Sequence, residues 1–170
     1  QNLIAMAFMG AVGLGTATAI RVGNAVGRGD GPGLARAGWT GVGLVILLMA
    51  LIALLFEIWP AALVAIYSSD AEVLALAVPT VVVAGWLLIW DGAQGVLMGA
   101  LRGAGDVWMP VIMHAVAFWL VGVPLAGLLV FRLGVGAPGL MLGMFGGVVA
   151  AALLLGSRFA LVSRRPVVRL

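Results

Sequence analysis

The sequence predicts an all-α membrane protein with five membrane-spanning helices. Of its 170 residues, 64% are hydrophobic and only 9% are charged, whereas a soluble domain is about half apolar and about a quarter charged. Five apolar runs each reach the roughly 20 residues that a helix needs to cross a bilayer. Membrane strands would be about ten residues long and alternate in polarity, so these runs indicate helices.

The five runs are separated by short breaks, and the first break, "GRGDGPG" (Gly27 to Gly33), is rich in turn-forming residues. The stretch between the second and third runs is too short to span a membrane. Its Pro60 and the apolar residues that follow predict a short interfacial helix at about 60–67, with Trp59 and Tyr67 at the level of the lipid headgroups. The predicted spanning helices cover about residues 2–26, 34–59, 73–101, 107–131 and 138–162.

The arginines indicate the orientation of the helices. All nine basic residues are arginines, and eight of them lie at one end of the predicted bundle, with Arg132 alone at the other end. Cytoplasmic loops carry an excess of basic residues. We therefore expect the loop around Arg28 and the C-terminus to be cytoplasmic. The chain begins at Gln1, inside an apolar run, and we interpret it as a piece of a longer protein.

The composition argues against several functions. The high isoelectric point comes from a few arginines rather than from a basic surface, so we expect no nucleic-acid partner. An intramembrane enzyme needs a nucleophile and base or a metal cluster, and the chain has no cysteine and a single histidine, His114. We expect neither catalysis nor a cofactor, and we expect His114 to have a packing or hydrogen-bonding role. Residues Gly134 to Gly139 match the dinucleotide-binding pattern G-x-G-x-x-G. They connect two membrane helices, however, and the pattern requires a preceding β-strand.

Asp91 is a carboxylate inside an apolar run, and a purely structural role for the helix leaves it unexplained. It lies in the third run, four residues past the centre near Leu87, and a carboxylate at such depth costs roughly 2.5–3.5 kcal/mol on insertion scales. It must face water, bind a cation or be protonated. Gln94, three residues further on, shares its helix face and could contribute to the same site. The alternative is a carboxylate hydrogen-bonded to a neighbouring helix for structure alone.

Four segments together carry a resemblance to a known family. "IRVGNAVGRGD" (Ile20 to Asp30) resembles the end of the eighth helix of the multidrug and toxic compound extrusion (MATE) transporters. "DGAQGVLMGALRGAGDVWMP" (Asp91 to Pro110) is similar to the tenth helix and its following loop, and the segments Phe118 to Phe131 and Leu133 to Gly143 are similar to the last two helices. The resemblance implies twelve helices in two lobes, of which residues 1–170 would be helices eight to twelve, most of the C-terminal six-helix lobe.

The resemblance also implies a function. Such transporters sit in the cytoplasmic membrane and export cationic amphiphilic drugs in exchange for Na⁺ or H⁺. Asp91 aligns with an aspartate that helps to bind the coupling cation, whether Na⁺ or H⁺, and Asp70 is similar to a position linked to drug contact. The implied partners are the lipid bilayer, cationic amphiphilic small molecules and the N-terminal lobe. Leu87 departs from the family, because an aromatic residue often stands one turn before the aspartate.

A second function within the same superfamily is a lipid or polysaccharide flippase. Such proteins tend to hold several cationic residues inside the lobe cavity for anionic head groups. Here the only ionisable residue deep in a span, apart from His114, is the acidic Asp91. This pattern favours cationic cargo.

Overall fold

The computed structural model describes residues 2–66, 71–134 and 136–165, and within these ranges the chain is helical with no β-strand. The prediction of an all-α helix bundle is confirmed. The helices are, in order, α1 (Asn2–Gly27), α2 (Gly31–Ile58), α3 (Pro60–Ala65), α4 (Ala71–Gly103), α5 (Trp108–Ala117), α6 (Val123–Gly127) and α7 (Ala137–Val162). Two π-helical turns, π1 (Phe118–Gly122) and π2 (Leu128–Arg132), flank α6. The segment from α5 to π2 is therefore one continuous helix, Trp108–Arg132.

Four described helical segments are long and apolar enough to cross a membrane, by length and composition: Gly31–Ile58, Val81–Gly103, Trp108–Arg132 and Gly139–Val162. Helix α1, the first of the five predicted spans, is also of spanning length, with 26 residues, and its last two turns carry the polar residues Arg21 and Asn24. Large apolar side chains are exposed over much of the bundle surface, as expected for helices that face lipid.

The turn between α1 and α2 is built by Gly29 and Asp30. Gly29 adopts a positive φ of 68°, a conformation that costs glycine little. Asp30 then caps α2, because its Oδ1 accepts a hydrogen bond of 2.8 Å from the backbone N–H of Gly33. Pro32 stands in the first turn of α2, where its missing N–H removes no helical bond.

Helix α4 is the central element of the bundle, and it packs against α1, α2 and α7. The core between these helices is apolar and closely filled. Its largest fully buried side chains include Met49 from α2, Leu101 from α4, and Leu155 and Phe159 from α7. Asp91 and Gln94 lie on this same central helix, so their surroundings are set by several neighbouring elements.

Helices α1 and α4 approach each other through small residues spaced four apart. Gly15, Ala19 and Gly23 of α1 face Gly99 and Gly103 of α4. A Cβ added at Gly99 would lie only 2.5 Å from the carbonyl oxygen of Gly15. Glycine is therefore required there, and the two backbones touch directly, as at many membrane helix crossings.

The Trp108–Arg132 segment is wider than an ordinary α-helix at two turns. The backbone N–H of Val123 donates to the carbonyl of Phe118, and that of Leu133 donates to Leu128 over 3.1 Å. Both bonds join residues five apart, the π-helical pattern. Pro124 follows the first wide turn. It has no N–H, and its ring conflicts with the carbonyl four residues earlier, so a wider turn relieves that conflict.

Candidate functional site

Asp91 lies deep within the membrane-spanning part of α4. It stands twelve residues before the end of the helix at Gly103, which is about 18 Å at 1.5 Å per residue. It lies four residues past the centre of α4, whose 33 residues run from Ala71 to Gly103. Its side chain is neither fully buried nor exposed. The carboxylate is therefore placed at mid-membrane depth, at the border of the packed core.

Gln94 holds the carboxylate from the same helix. Its Nε2 donates a hydrogen bond of 3.2 Å to Oδ1 of Asp91, and the three-residue spacing brings the two side chains onto one face. Gln94 is only 8% exposed, and its Oε1 is buried with no hydrogen-bond partner among the described residues. A buried amide oxygen normally has a partner. The pair thus leaves one side-chain oxygen of Gln94 without a partner in the described structure.

His114 of α5 packs against an aromatic side chain of the same helical segment. Its ring stacks on Phe118 with centroids 4.7 Å apart and planes tilted by 36°. Its Nδ1 is buried and has no hydrogen-bond partner within the described part of the chain. The stacking agrees with the packing role expected for His114.

Two glycines define the walls of the site. Gly92, beside Asp91, is buried, and a Cβ there would lie 2.9 Å from Met49 and 3.0 Å from Val45 of α2. Gly95, one turn after Asp91, is exposed, and no heavy atom of the described neighbours lies within 4 Å of its potential Cβ. The helix face of Asp91 is therefore closed by α2 on one side and open at Gly95.

No arginine of the described residues forms an ion pair with Asp91. Among the described residues the single ion pair joins Arg158 to Asp106, and the nearest arginine along α4, Arg102, is eleven residues away, about 16 Å along the axis. Within the described part of the chain, no cluster of three or more histidine or acidic side chains could hold a metal ion. The arrangement suits a proton or a loosely held hard cation, which prefers oxygen ligands.

Asp70, the residue expected to contact substrate, lies outside the described residues, as does Tyr67. The structure brings together Asp91 and Gln94 as the candidate site, and both were identified from sequence.

A polytopic helix bundle with an ionisable side chain deep in a span is typical of membrane transport proteins. The MatE family model matches residues 1–128, and the chain belongs to the MatE family. Among curated proteins, it is 42% identical over 164 residues to a "Probable multidrug resistance protein NorM" of Synechococcus sp., covering 94% of this chain and 35% of that protein. It is 38% identical over 163 residues to the same-named protein of Mesorhizobium japonicum, covering 93% of this chain and 35% of that protein.

The chain thus spans about a third of the length of these relatives. A solved structure, described as the crystal structure of the eukaryotic MATE transporter AtDTX14, matches with a TM-score of 0.78 at 23% identity. The match covers 96% of this chain and 38% of that one, and it shows the shared fold.

Proposed function

We propose that the protein carrying this chain is a cation-coupled antiporter. It exports cationic amphiphilic drugs and other toxic compounds across the cytoplasmic membrane in exchange for Na⁺ or H⁺. The observation that carries the proposal is Asp91, a carboxylate at mid-membrane depth that no described arginine neutralises. The names of the curated relatives, multidrug resistance proteins, support drug export over the flippase function.

In this mechanism Asp91 is the group that carries the coupling cation. Its carboxylate binds Na⁺ or a proton, and Gln94 orients it through the 3.2 Å hydrogen bond. A buried carboxylate favours any process that supplies a positive charge. A coupling cation and a cationic drug can therefore compete for the same negative charge, so that binding one favours release of the other.

The open side at Gly95 indicates where the cation enters. In the whole protein this side of α4 faces the interior of the transporter, toward the N-terminal lobe, with water or polar groups near Asp91. The remaining partners are the lipid bilayer and the cationic drug. The basic end of the bundle, including the C-terminus, lies in the cytoplasm.

The test is Asp91→Asn in the full-length protein. The amide retains the size and hydrogen bonding of the carboxyl but removes the charge, and it costs less to place in a membrane. The variant should therefore insert and accumulate like wild type, yet lose gradient-driven export of a cationic dye such as ethidium. Glu57→Gln, which removes an exposed acid at the end of α2, is the matched control and should export normally. Normal export by well-expressed Asp91→Asn protein would refute the coupling role.

The coupling ion is identified in the same assay. Export from vesicles is measured with an imposed Na⁺ gradient at constant pH, and then with an imposed pH gradient without Na⁺. Stimulation by one gradient alone assigns the ion. If neither gradient drives dye export, while the protein is folded, cation-coupled drug export is wrong.

A further inference from the structure

Helices α1 and α2 line an open polar cavity at the end of the bundle where they are joined, and its three arginines are exposed. Its volume is about 530 Å³, within the roughly 300–1,000 Å³ of small-molecule sites. Its charged lining side chains are Arg21, Arg28, Arg36 and Asp30. Two other cavities of the described structure are lined almost wholly by apolar side chains. This cavity therefore differs in chemistry from the lipid-facing grooves.

The positive charge of the cavity is not neutralised from within. The ion pair of the described chain involves Arg158 and Asp106, at another place in the bundle. No cavity arginine therefore contacts a described carboxylate within the 4.0 Å limit of an ion pair. Asp30, the one carboxylate of the lining, already accepts the 2.8 Å hydrogen bond from Gly33 that caps α2. Three arginines and one aspartate leave a local excess of positive charge.

The depth of the cavity matches the headgroup region of a bilayer. Arg21 lies six residues before the end of α1, and Arg36 lies five residues after the start of α2. At 1.5 Å per residue these offsets are about 9 Å and about 7.5 Å. Arginine side chains at such depth extend toward the interface. Asn24 and Thr40 add hydrogen-bonding groups to the same lining.

We propose that this cavity binds a phosphoester anion, held by Arg21 and Arg36 from opposite helices with Arg28 at the rim. The planar guanidinium group binds phosphate through two parallel hydrogen bonds. The anion is either the head group of an anionic phospholipid or a free phosphate, and both share this chemistry. The proposal is independent of drug export.

Binding is measured by isothermal titration calorimetry on the purified full-length protein in neutral detergent. The probes are short-chain phosphatidylglycerol, phosphatidylcholine with the same acyl chains, and inorganic phosphate. Phosphatidylglycerol should bind, and more weakly at higher salt, because exposed charges are screened. If phosphatidylglycerol binds and inorganic phosphate does not displace it, the site is assigned to lipid. If inorganic phosphate binds and the two lipids do not differ, the site is assigned to free phosphate. Equal binding of both lipids with no effect of phosphate would overturn the proposal.

Charge variants supply the residue-level test. Arg21→Gln/Arg36→Gln should weaken binding about a hundredfold, roughly tenfold for each lost charge-assisted hydrogen bond. Arg21→Lys/Arg36→Lys keeps the charge but loses the paired hydrogen bonds, so it should bind more weakly than wild type and more tightly than the glutamine variant. Asp30→Asn should tighten binding, because asparagine caps a helix as well as aspartate and the competing negative charge is lost.

Arg164→Gln/Arg165→Gln is the matched control, since it removes two exposed charges near the C-terminal end of α7, outside the cavity lining. It should bind like wild type. Each variant is first shown to be folded by its thermal unfolding in detergent. Folded Arg21→Gln/Arg36→Gln protein that binds like wild type, or a control that loses as much binding, would show that the cavity is not the site.

Discussion

Arg158 donates from its Nε to Oδ2 of Asp106 across 2.7 Å, joining two residues 52 positions apart. Asp106 ends the loop after α4, where Gly105 adopts a φ of 83° and the N–H of Asp106 bonds to Leu101. Both side chains are mostly buried, at 20% and 16% exposed. The pair thus fixes the α4–α5 loop to α7 at the same end of the bundle as the arginine cavity.

Breaking this ion pair should destabilise the fold. Asp106→Asn leaves a mostly buried guanidinium without its counter-charge, and we expect a loss of about 1–3 kcal/mol in unfolding free energy. Thermal unfolding in detergent measures the loss. The double variant Asp106→Asn/Arg158→Gln should lose less than the sum of the single variants, because the two residues interact directly. Additive losses would mean that the ion pair contributes nothing to stability. The control is Arg164→Gln, at an exposed position, which should change the unfolding free energy by less than about 0.5 kcal/mol.

The contact between α1 and α4 should tolerate no side chain at Gly99. Gly99→Ala places a Cβ 2.5 Å from the Gly15 carbonyl oxygen, so the two backbones must move apart. We expect a cost of about 1–3 kcal/mol, as for other overpacked sites. Gly95→Ala, one turn earlier, meets no described atom within 4 Å and gains the same helix propensity. Equal thermal stability of the two variants would contradict the close approach.

The orientation can be tested with single cysteines, because the chain has no natural cysteine. In a cysteine-free full-length protein, cysteines at Arg28 and Arg164 should resist an impermeant maleimide on intact cells and react after permeabilisation. Both positions are exposed in the bundle, so lack of labelling reports the membrane side rather than burial. A cysteine at Arg132, exposed at the opposite end, should react from outside. The reverse pattern would invert the topology.

Gln94 should affect the binding of the coupling cation rather than the binding of the drug. Gln94→Leu keeps the size of the side chain but removes the amide next to Asp91. In export driven by a Na⁺ gradient, the half-saturating Na⁺ concentration should rise about tenfold, since a hydrogen bond to a charged group is worth roughly 1.5–3 kcal/mol. The maximal rate should change little. The control is Ser157→Ala, which changes an exposed polar residue of α7. If Gln94→Leu leaves the half-saturating Na⁺ concentration unchanged, Gln94 is not part of the site.

The helices were predictable because spanning length and hydropathy are properties of a continuous stretch of sequence. The observed helix ends lie within three residues of the predicted ones. Asp91 was identifiable because a carboxylate is rare in such a stretch, and Gln94 because three-residue spacing fixes a shared face. The arginine cavity was missed because the count of arginines indicates a side of the membrane, whereas the cavity depends on how two helices pack.

The two π-helical turns have a consequence for how the Trp108–Arg132 segment will respond to mutation. In a uniform helix, positions that tolerate bulky replacements recur every 3.6 residues, so a tryptophan scan yields a single phase along its length. Each π-helical turn contains more residues than an α-helical turn, so every later side chain is rotated around the helix axis. The tolerance pattern that begins at Trp108 should therefore lose its phase after Phe118 and again after Leu128. Residues separated by a multiple of seven across these turns will face different neighbours, although a helical wheel places them together.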